Sequence, residues 1–150
     1  MCAIIDACVA TRVFVDKDDP ELGLIQQHIF AGRLLVVYGG KLGREYLRLS
    51  MVSRKLRTLD QAGIARKMPD KAVDEKDKEV QTAGNCTSND THVIALALVS
   101  RARLLCSADH TLHTDFKNPK IIAKPRGRIY QNTTHNNLLK RKCKVCKLIG

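Results

Sequence analysis

Residues 88–110 read SNDTHVIALALVSRARLLCSADH, a stretch with two apolar runs, the first of helix length and the second of strand length. Asp90 lies shortly before the first run, and Asp109 lies shortly after the second, which is Leu104–Cys106. A buried helix followed by a short buried strand is typical of α/β proteins. The acid that flanks each run, Asp90 or Asp109, is therefore a candidate functional residue.

The rest of the chain alternates between strand and helix patterns in the same way. Short apolar runs predict strands in CAIID (2–6), RLLVVYGG (33–40), LLC (104–106), KIIAK (120–124) and RIYQN (128–132). Helical spacing predicts helices from Pro20 to Gly32, over residues 41–63 without a break, over 70–84, from 90 to about 100, and in NNLLKRK (136–142). This order predicts a three-layer α/β/α fold around a central, mainly parallel sheet.

The positive charge is concentrated at the end of the chain. The net charge is +11, and ten of the 26 Lys and Arg follow Asp115, the last acidic residue. A basic block of this kind is typical of a protein with a polyanionic partner, such as RNA, DNA or an acidic protein surface. A solvated, partly disordered tail is the alternative.

Length and composition predict one soluble, cytoplasmic domain. A chain of 150 residues with 44% hydrophobic residues can bury a core of its own. No signal peptide is apparent, so the six cysteines are interpreted as reduced thiols, with Cys2, Cys8 and Cys106 mostly buried. The longest apolar run is shorter than the ~20 residues of a transmembrane helix, so no membrane contact is expected.

Four carboxylates are predicted to converge at one edge of the sheet. Asp6 and Asp109 each follow a predicted strand, and the carboxyl ends of parallel strands share an edge. Asp90 begins the helix that leads back to the last of these strands, and Glu45 lies in the first turns of a helix that leaves the same edge. Like charges at this distance resist joint ionisation, and Mg²⁺ or Mn²⁺ relieves the repulsion.

Each acid also has an ordinary structural explanation. Asp90 could cap its helix, Asp109 could be a turn residue, and Glu45 could be an exposed helix charge. Asp6 is harder to explain in this way, because an acid that directly follows a buried strand needs a partner. Their order and spacing together favour a metal site that supports phosphodiester displacement. His92 and His110 are interpreted as ordinary helix-start and turn residues.

The sequences IIDACV, SNDTHVIALAL and LLCSADHTLHTDFKN, with the helix that carries Glu45, resemble the PIN-domain nucleases. The resemblance is strongest to the small single-domain ribonuclease toxins of bacterial and archaeal toxin–antitoxin pairs, and it covers residues 1 to about 123. It implies a metal-dependent endoribonuclease that acts on RNA, a protein antitoxin and often a homodimer. It also implies a set of Mg²⁺ or Mn²⁺ ligands, namely Asp6, Glu45, Asp90 and Asp109.

Further residues are expected to support these ligands. Ser107 matches a Ser or Thr that supports the site by hydrogen bonding in the family, and Asn89 and Asp115 are predicted beside it. Cys8 stands where the family commonly has Ser or Asn, and Thr111 stands where a second Asp often follows. Whether Asp115 supplies a fifth acid is left open.

The basic extension, at about residues 125–150, is predicted to hold RNA through Lys140, Arg141, Lys142, Lys144 and Lys147. The same segment contains CKVC, in which Cys143 and Cys146 follow His135. A structural zinc site needs four ligands and only three are present, so exposed reduced thiols are favoured.

Two alternative functions fit parts of the pattern. One is a PIN-like domain, still spanning residues 1–150, that binds nucleic acid without cutting it. The other is a Mg²⁺-binding phosphoacceptor domain of a signalling protein, which needs a Lys at the end of its last strand and an acidic pair after the first. Lys124 is a candidate for that Lys, but IIDAC offers only one acid.

Overall fold

The structure, a computed structural model, describes residues 1–140 and has a parallel sheet at its centre. The strands are β1 (Cys2–Ile5), β2 (Leu35–Tyr38), β3 (Ala65–Lys67), β4 (Leu104–Cys106) and β5 (Arg128–Tyr130). Their order in the sheet is β3-β2-β1-β4-β5, and every neighbouring pair is parallel. With helices packed against the sheet, the predicted three-layer α/β/α fold is confirmed.

The helices are α1 (Ala7–Phe14), α2 (Gly23–Phe30), α3 (Gly40–Leu47), α4 (Ser50–Gln61), α5 (Asp70–Ala83), α6 (Thr91–Ser100) and α7 (His110–Lys117), followed by a 3₁₀-helix at Thr133–Lys140. Helix α1 contacts α2, α3 and α4, whereas α5 packs along α6. Because crossovers are right-handed, the path from β1 to β2 to β3 and the return to β4 and β5 place α1 and α4 on one face and α5 and α6 on the other. Helix α3 contacts helices of both layers. Within residues 1–140, no helix is both long and apolar enough to cross a membrane.

The central strands are apolar throughout because both of their faces are covered. Every residue of β1 and β4 is buried. Helix α6 is also buried nearly all round, from His92 to Ala97. A strand between two helical layers has no polar face, so it is predicted from a continuous apolar run rather than from alternation.

Several predicted elements are wrong in their bounds or their type. The helix predicted over 41–63 is two helices, because Leu49 between them is extended, with φ −106° and ψ 91°. Helix α2 begins at Gly23 rather than at Pro20. The predicted strand KIIAK is a loop in which Ile122 is buried without pairing, since β4 pairs with Arg128–Tyr130 instead.

The connection order creates a crevice at the carboxyl edge between β1 and β4. The chain leaves β1 towards β2 on one side and leaves β4 towards β5 on the other. The helices that follow these two strands therefore diverge to opposite faces of the sheet. In open α/β sheets, ligands bind at this switch point.

Candidate functional site

Asp6 lies at this crevice, directly after β1. Its backbone N–H donates to the carbonyl oxygen of Cys106 at 2.9 Å, which fixes Asp6 to the end of β4. Although Asp6 precedes α1, its side chain makes no capping hydrogen bond to that helix. Its Oδ2 instead accepts from the Ser107 hydroxyl at 2.7 Å and from the Cys8 thiol at 3.3 Å. The carboxylate is buried and directed across the crevice towards β4.

Asp109 faces Asp6 from the other side of the crevice. Its Oδ1 caps α7 by accepting from the backbone N–H groups of Thr111 at 3.0 Å and Leu112 at 3.3 Å. Its own backbone N–H donates to the Ser107 hydroxyl oxygen at 3.0 Å. The hydroxyl of Ser107 therefore bonds both to Asp6 and to the backbone of Asp109, which agrees with its predicted supporting position.

Asp90 completes a group of three acids. It directly precedes α6 without a side-chain cap, so its carboxylate is not occupied by the helix end. The pKa of Asp90 is raised, first by burial, then by the charge of Asp6 and to a smaller extent by Asp109, so the three carboxyl groups lie near one another. The structure thus brings together three of the four predicted acids.

Glu45, the fourth predicted acid, is paired with His92. The Nε2 atom of His92 lies 2.8 Å from Oε1 of Glu45, an ion-pair distance, although Nε2 makes no hydrogen bond of acceptable geometry within residues 1–140. The His92 side chain is 3% exposed and lies in the first turn of α6, as the sequence predicts for a helix-start residue. It also places Glu45 of α3 beside the start of α6, which carries Asp90.

Asp115 supports the turn that carries Asp90. It is buried and accepts from the backbone N–H of Thr87 at 3.0 Å, from the Thr87 hydroxyl at 2.9 Å and from the backbone N–H of Ser88 at 2.7 Å. The Ser88 hydroxyl in turn accepts from the backbone N–H of Asp90 at 3.0 Å. Three donors on this turn therefore occupy the Asp115 carboxylate, which ties the start of α6 to α7.

His113 is a supporting residue that the sequence analysis missed. It is buried in α7, and its Nε2 lies 2.6 Å from the carbonyl oxygen of Ser107. A carbonyl oxygen only accepts, so Nε2 carries the proton. Burial lowers the pKa of His113. The only signal in the sequence is its position three residues into the helix after Asp109, which does not reveal its partner.

The remaining predicted residues are exposed or lie outside the described residues. Asn89 is exposed, and its side chain makes no hydrogen bond within residues 1–140. Cys8 is exposed rather than buried, which corrects the expectation. Lys140 is exposed at the end of the 3₁₀-helix. The other predicted residues of the basic extension lie outside the described residues, namely Arg141, Lys142, Cys143, Lys144, Cys146 and Lys147.

The structure also bears on two alternatives from the sequence analysis, the phosphoacceptor domain and the zinc site. Lys124 lies in the loop before β5 and not at the carboxyl end of a strand, where a phosphoacceptor domain needs its Lys. His135, the third candidate for zinc, accepts through Nδ1 from the backbone N–H of Gln131 at 3.1 Å.

The donor chemistry of the three acids suits a hard divalent cation. Asp6 and Asp109 each use one carboxylate oxygen for protein donors, and their second oxygens accept no hydrogen bond from residues 1–140. No Lys or Arg of residues 1–140 forms an ion pair with Asp6, Asp90 or Asp109. Within the same residues, no group of three His, Cys, Asp or Glu is arranged to hold a metal ion as it stands. A bound ion therefore requires side-chain rotation and water ligands, and Mg²⁺ usually keeps several waters.

The comparisons with known proteins give no assignment, since no family model, no curated protein and no solved structure matches the chain.

Proposed function

We propose that the protein is a metal-dependent endoribonuclease of the PIN-like type. The observation that carries the proposal is the group formed by Asp6, Asp90 and Asp109 at the switch point of the sheet, since no ion pair within residues 1–140 joins a Lys or Arg to any of the three. Converging carboxylates raise one another's pKa and resist joint ionisation, and a bound cation relieves this repulsion. Their oxygens are the ligands that Mg²⁺ and Mn²⁺ prefer.

The roles of the residues follow from their bonding. Asp6 and Asp109 would hold the ion through the carboxylate oxygens that accept no hydrogen bond from residues 1–140, and the neighbouring Asp90 would add a third carboxylate. Ser107 bonds to both strand ends and so fixes their spacing. Glu45, which lies against His92, would supply the fourth carboxylate from α3. A metal ion in such a site supplies an activated water and stabilises the charge of the phosphodiester transition state.

RNA as the substrate is supported by the net charge and by the resemblance to PIN-domain toxins. We propose that Lys140, Arg141, Lys142, Lys144 and Lys147 of the basic extension bind the RNA. Each phosphate neutralised on a single strand contributes about −0.7 to the slope of log K against log salt. Deleting residues 140–150 is expected to flatten that slope by up to about 3 units and to leave cleavage at saturating RNA intact. From the sequence we likewise propose that the protein acts in the cytoplasm, binds a protein antitoxin and forms a homodimer.

Cleavage of labelled single-stranded RNA by the purified protein tests the proposal. The arms are Mn²⁺, Mg²⁺ and EDTA, each with wild type, Asp90→Asn and the exposed control variant Asp16→Asn. We expect wild type and the control variant to cleave the RNA in Mn²⁺ and to lose cleavage in EDTA. We expect Asp90→Asn to show no cleavage in any arm. RNA binding without cleavage in any arm would contradict the nuclease and favour the non-catalytic alternative. Equal cleavage by Asp90→Asn and wild type would remove Asp90 from the site.

A further inference from the structure

A cavity of about 300 Å³ lies beside the acids but is not formed by them. It opens between α3, α4 and the carboxyl ends of β2 and β3. The residues that matter for its chemistry are Tyr38, Arg44, Arg57, Asp60, Gln61 and Lys67. Its volume is at the lower end of small-molecule sites, which suits a single nucleotide.

The cavity contains an arginine that forms no ion pair within residues 1–140. Its two acids have partners inside the chain, since Asp60 accepts from the Tyr38 hydroxyl at 2.5 Å and Asp70 pairs with Lys67 at 3.3 Å. Arg57 is exposed and forms no ion pair within residues 1–140. An anionic group is therefore the charge-complementary occupant near Arg57.

The same cavity offers an aromatic ring and an amide. The bond to Asp60 fixes the Tyr38 ring, whose centroid lies 6.2 Å from that of Tyr46. Gln61 follows Arg57 by four residues, so the two side chains lie on one face of α4. An amide both donates and accepts, as the edge of a nucleobase requires. Stacking on an aromatic ring is the common way in which proteins hold an unpaired base.

Tyr46 joins this cavity to the candidate active site. Its ring forms part of the cavity wall, and its hydroxyl donates to the carbonyl oxygen of Ile5, the residue before Asp6. One aromatic side chain therefore links the cavity wall to the end of β1, the strand that Asp6 follows.

We propose that the cavity is a nucleotide subsite in which a base stacks on Tyr38 and its phosphate binds Arg57. The proposal rests on the proposed ribonuclease function for its RNA substrate, but nucleotide binding itself does not need the metal. A protein side chain is the competing occupant, because Leu47 in the cavity wall is 70% exposed. The combination of Arg57, a ring and an amide favours the nucleotide.

Binding of adenosine 5′-monophosphate and of adenosine, both in EDTA, tests the subsite. The variants are Arg57→Ala and Arg54→Ala, a matched exposed arginine on the same helix outside the cavity. In wild type, both ligands are expected to shift the NMR resonances of Tyr38 and Gln61. Arg57→Ala is expected to bind the monophosphate about tenfold more weakly and adenosine unchanged, and Arg54→Ala to behave like wild type with both. Tyr38→Leu removes the ring and is expected to weaken the binding of both ligands about tenfold.

The outcomes separate this subsite from the nuclease. Equal binding of the monophosphate by Arg57→Ala and Arg54→Ala, or no shift at Tyr38 and Gln61 in wild type, would overturn the subsite and leave the cavity to a protein partner. Arg57-dependent binding of the monophosphate by a protein that never cleaves RNA would support the subsite and contradict only the nuclease.

Discussion

The carboxyl ends of β2 and β3 and those of β1 and β4 lie on the same edge of the sheet, yet their acids are neutralised differently. Near β2 and β3, Asp60 accepts from the Tyr38 hydroxyl at 2.5 Å. Asp70 accepts from the backbone N–H of Gly40 at 2.9 Å and lies 3.3 Å from the ammonium of Lys67. Each of these acids has its partner inside the chain, so the acids of this half of the edge are complete without an external cation.

Near β1 and β4, the acids lie near one another instead. Burial and then the charge of Asp6 raise the pKa of Asp90, whereas the hydrogen bond from Gly40 and then the contact with Lys67 lower the pKa of Asp70. The surroundings of Asp90 therefore disfavour its charged form, whereas those of Asp70 favour it. The difference indicates that the half at β1 and β4 is the one that gains from an external cation.

Asp6→Asn is expected to have the largest effect. Loss of a direct ligand should cost more than the 10–100-fold that outer partners of a metal site cost. Metal-dependent RNA cleavage should therefore fall by at least about 100-fold. A hundredfold excess of Mn²⁺ over Kd should stabilise wild type by about 2.7 kcal/mol, and the variant by much less. Cleavage assays and thermal melts with and without Mn²⁺ measure both effects.

The control for this variant is Asp70→Asn, from the complete half of the edge. It should keep both cleavage and the Mn²⁺ response. If Asp70→Asn and Asp6→Asn lose the Mn²⁺ response equally, the ion does not distinguish the two halves and the comparison fails.

His92→Ala should have the next largest effect, because it frees Glu45. Loss of an outer partner typically weakens metal affinity by 10–100-fold, so Mn²⁺ binding should weaken by about tenfold. His92→Gln should recover part of this affinity, because its amide can still donate to Glu45. Titration calorimetry with Mn²⁺ measures the affinities. Equal losses in the two variants would mean that His92 only fills space in the core.

Tyr38→Phe tests the complete half with a smaller effect. It removes the hydrogen bond to Asp60 and leaves the ring, so the free energy of unfolding should fall by about 1 kcal/mol. Urea denaturation measures the change. The Mn²⁺-induced rise in melting temperature should be the same as in wild type, and a smaller rise would show that the two halves are coupled.

The smallest expected effects are the opposite stability changes of Asp90→Asn and Asp70→Asn without metal. A raised pKa means that ionisation of Asp90 destabilises the native state as pH rises through that pKa, so Asp90→Asn should be more stable than wild type at neutral pH. A lowered pKa means that Asp70 contributes its stability above its usual pKa and loses it as pH falls through the lowered value. Asp70→Asn should therefore be less stable at neutral pH, by less than about 1 kcal/mol for an exposed pair.

Urea denaturation at several pH values measures both variants against wild type. For Asp90→Asn the difference should shrink as pH falls towards the usual aspartate pKa. For Asp70→Asn it should shrink at still lower pH. If the free energy of unfolding at neutral pH rose in both variants, or fell in both, the proposed difference between the two halves of the edge would be contradicted.

The sequence by itself determined the layers of the fold and the meeting of three acids. The continuous apolar runs in β1, β2 and β4 predicted buried parallel strands, because a strand covered on both faces has no polar side. Carboxyl ends of parallel strands share an edge of the sheet, so the strand pattern alone predicted that Asp6 and Asp109 lie close together. Strand β3 was missed because Ala65 is its only buried residue, so no apolar run marks it.

Only the tertiary structure decided which side chains are partners. Asp115 bonds to Thr87 and Ser88, and Glu45 lies against His92, across sequence separations that carry no local signal. The same holds for KIIAK, whose apolar pattern fits a strand although β4 pairs with the next segment. The spacing of apolar residues along a helix or a strand follows from the backbone period of that element, so a short stretch of sequence is enough to reveal it. The choice of a partner depends on the packing of distant elements, which places the donors and acceptors of different segments side by side.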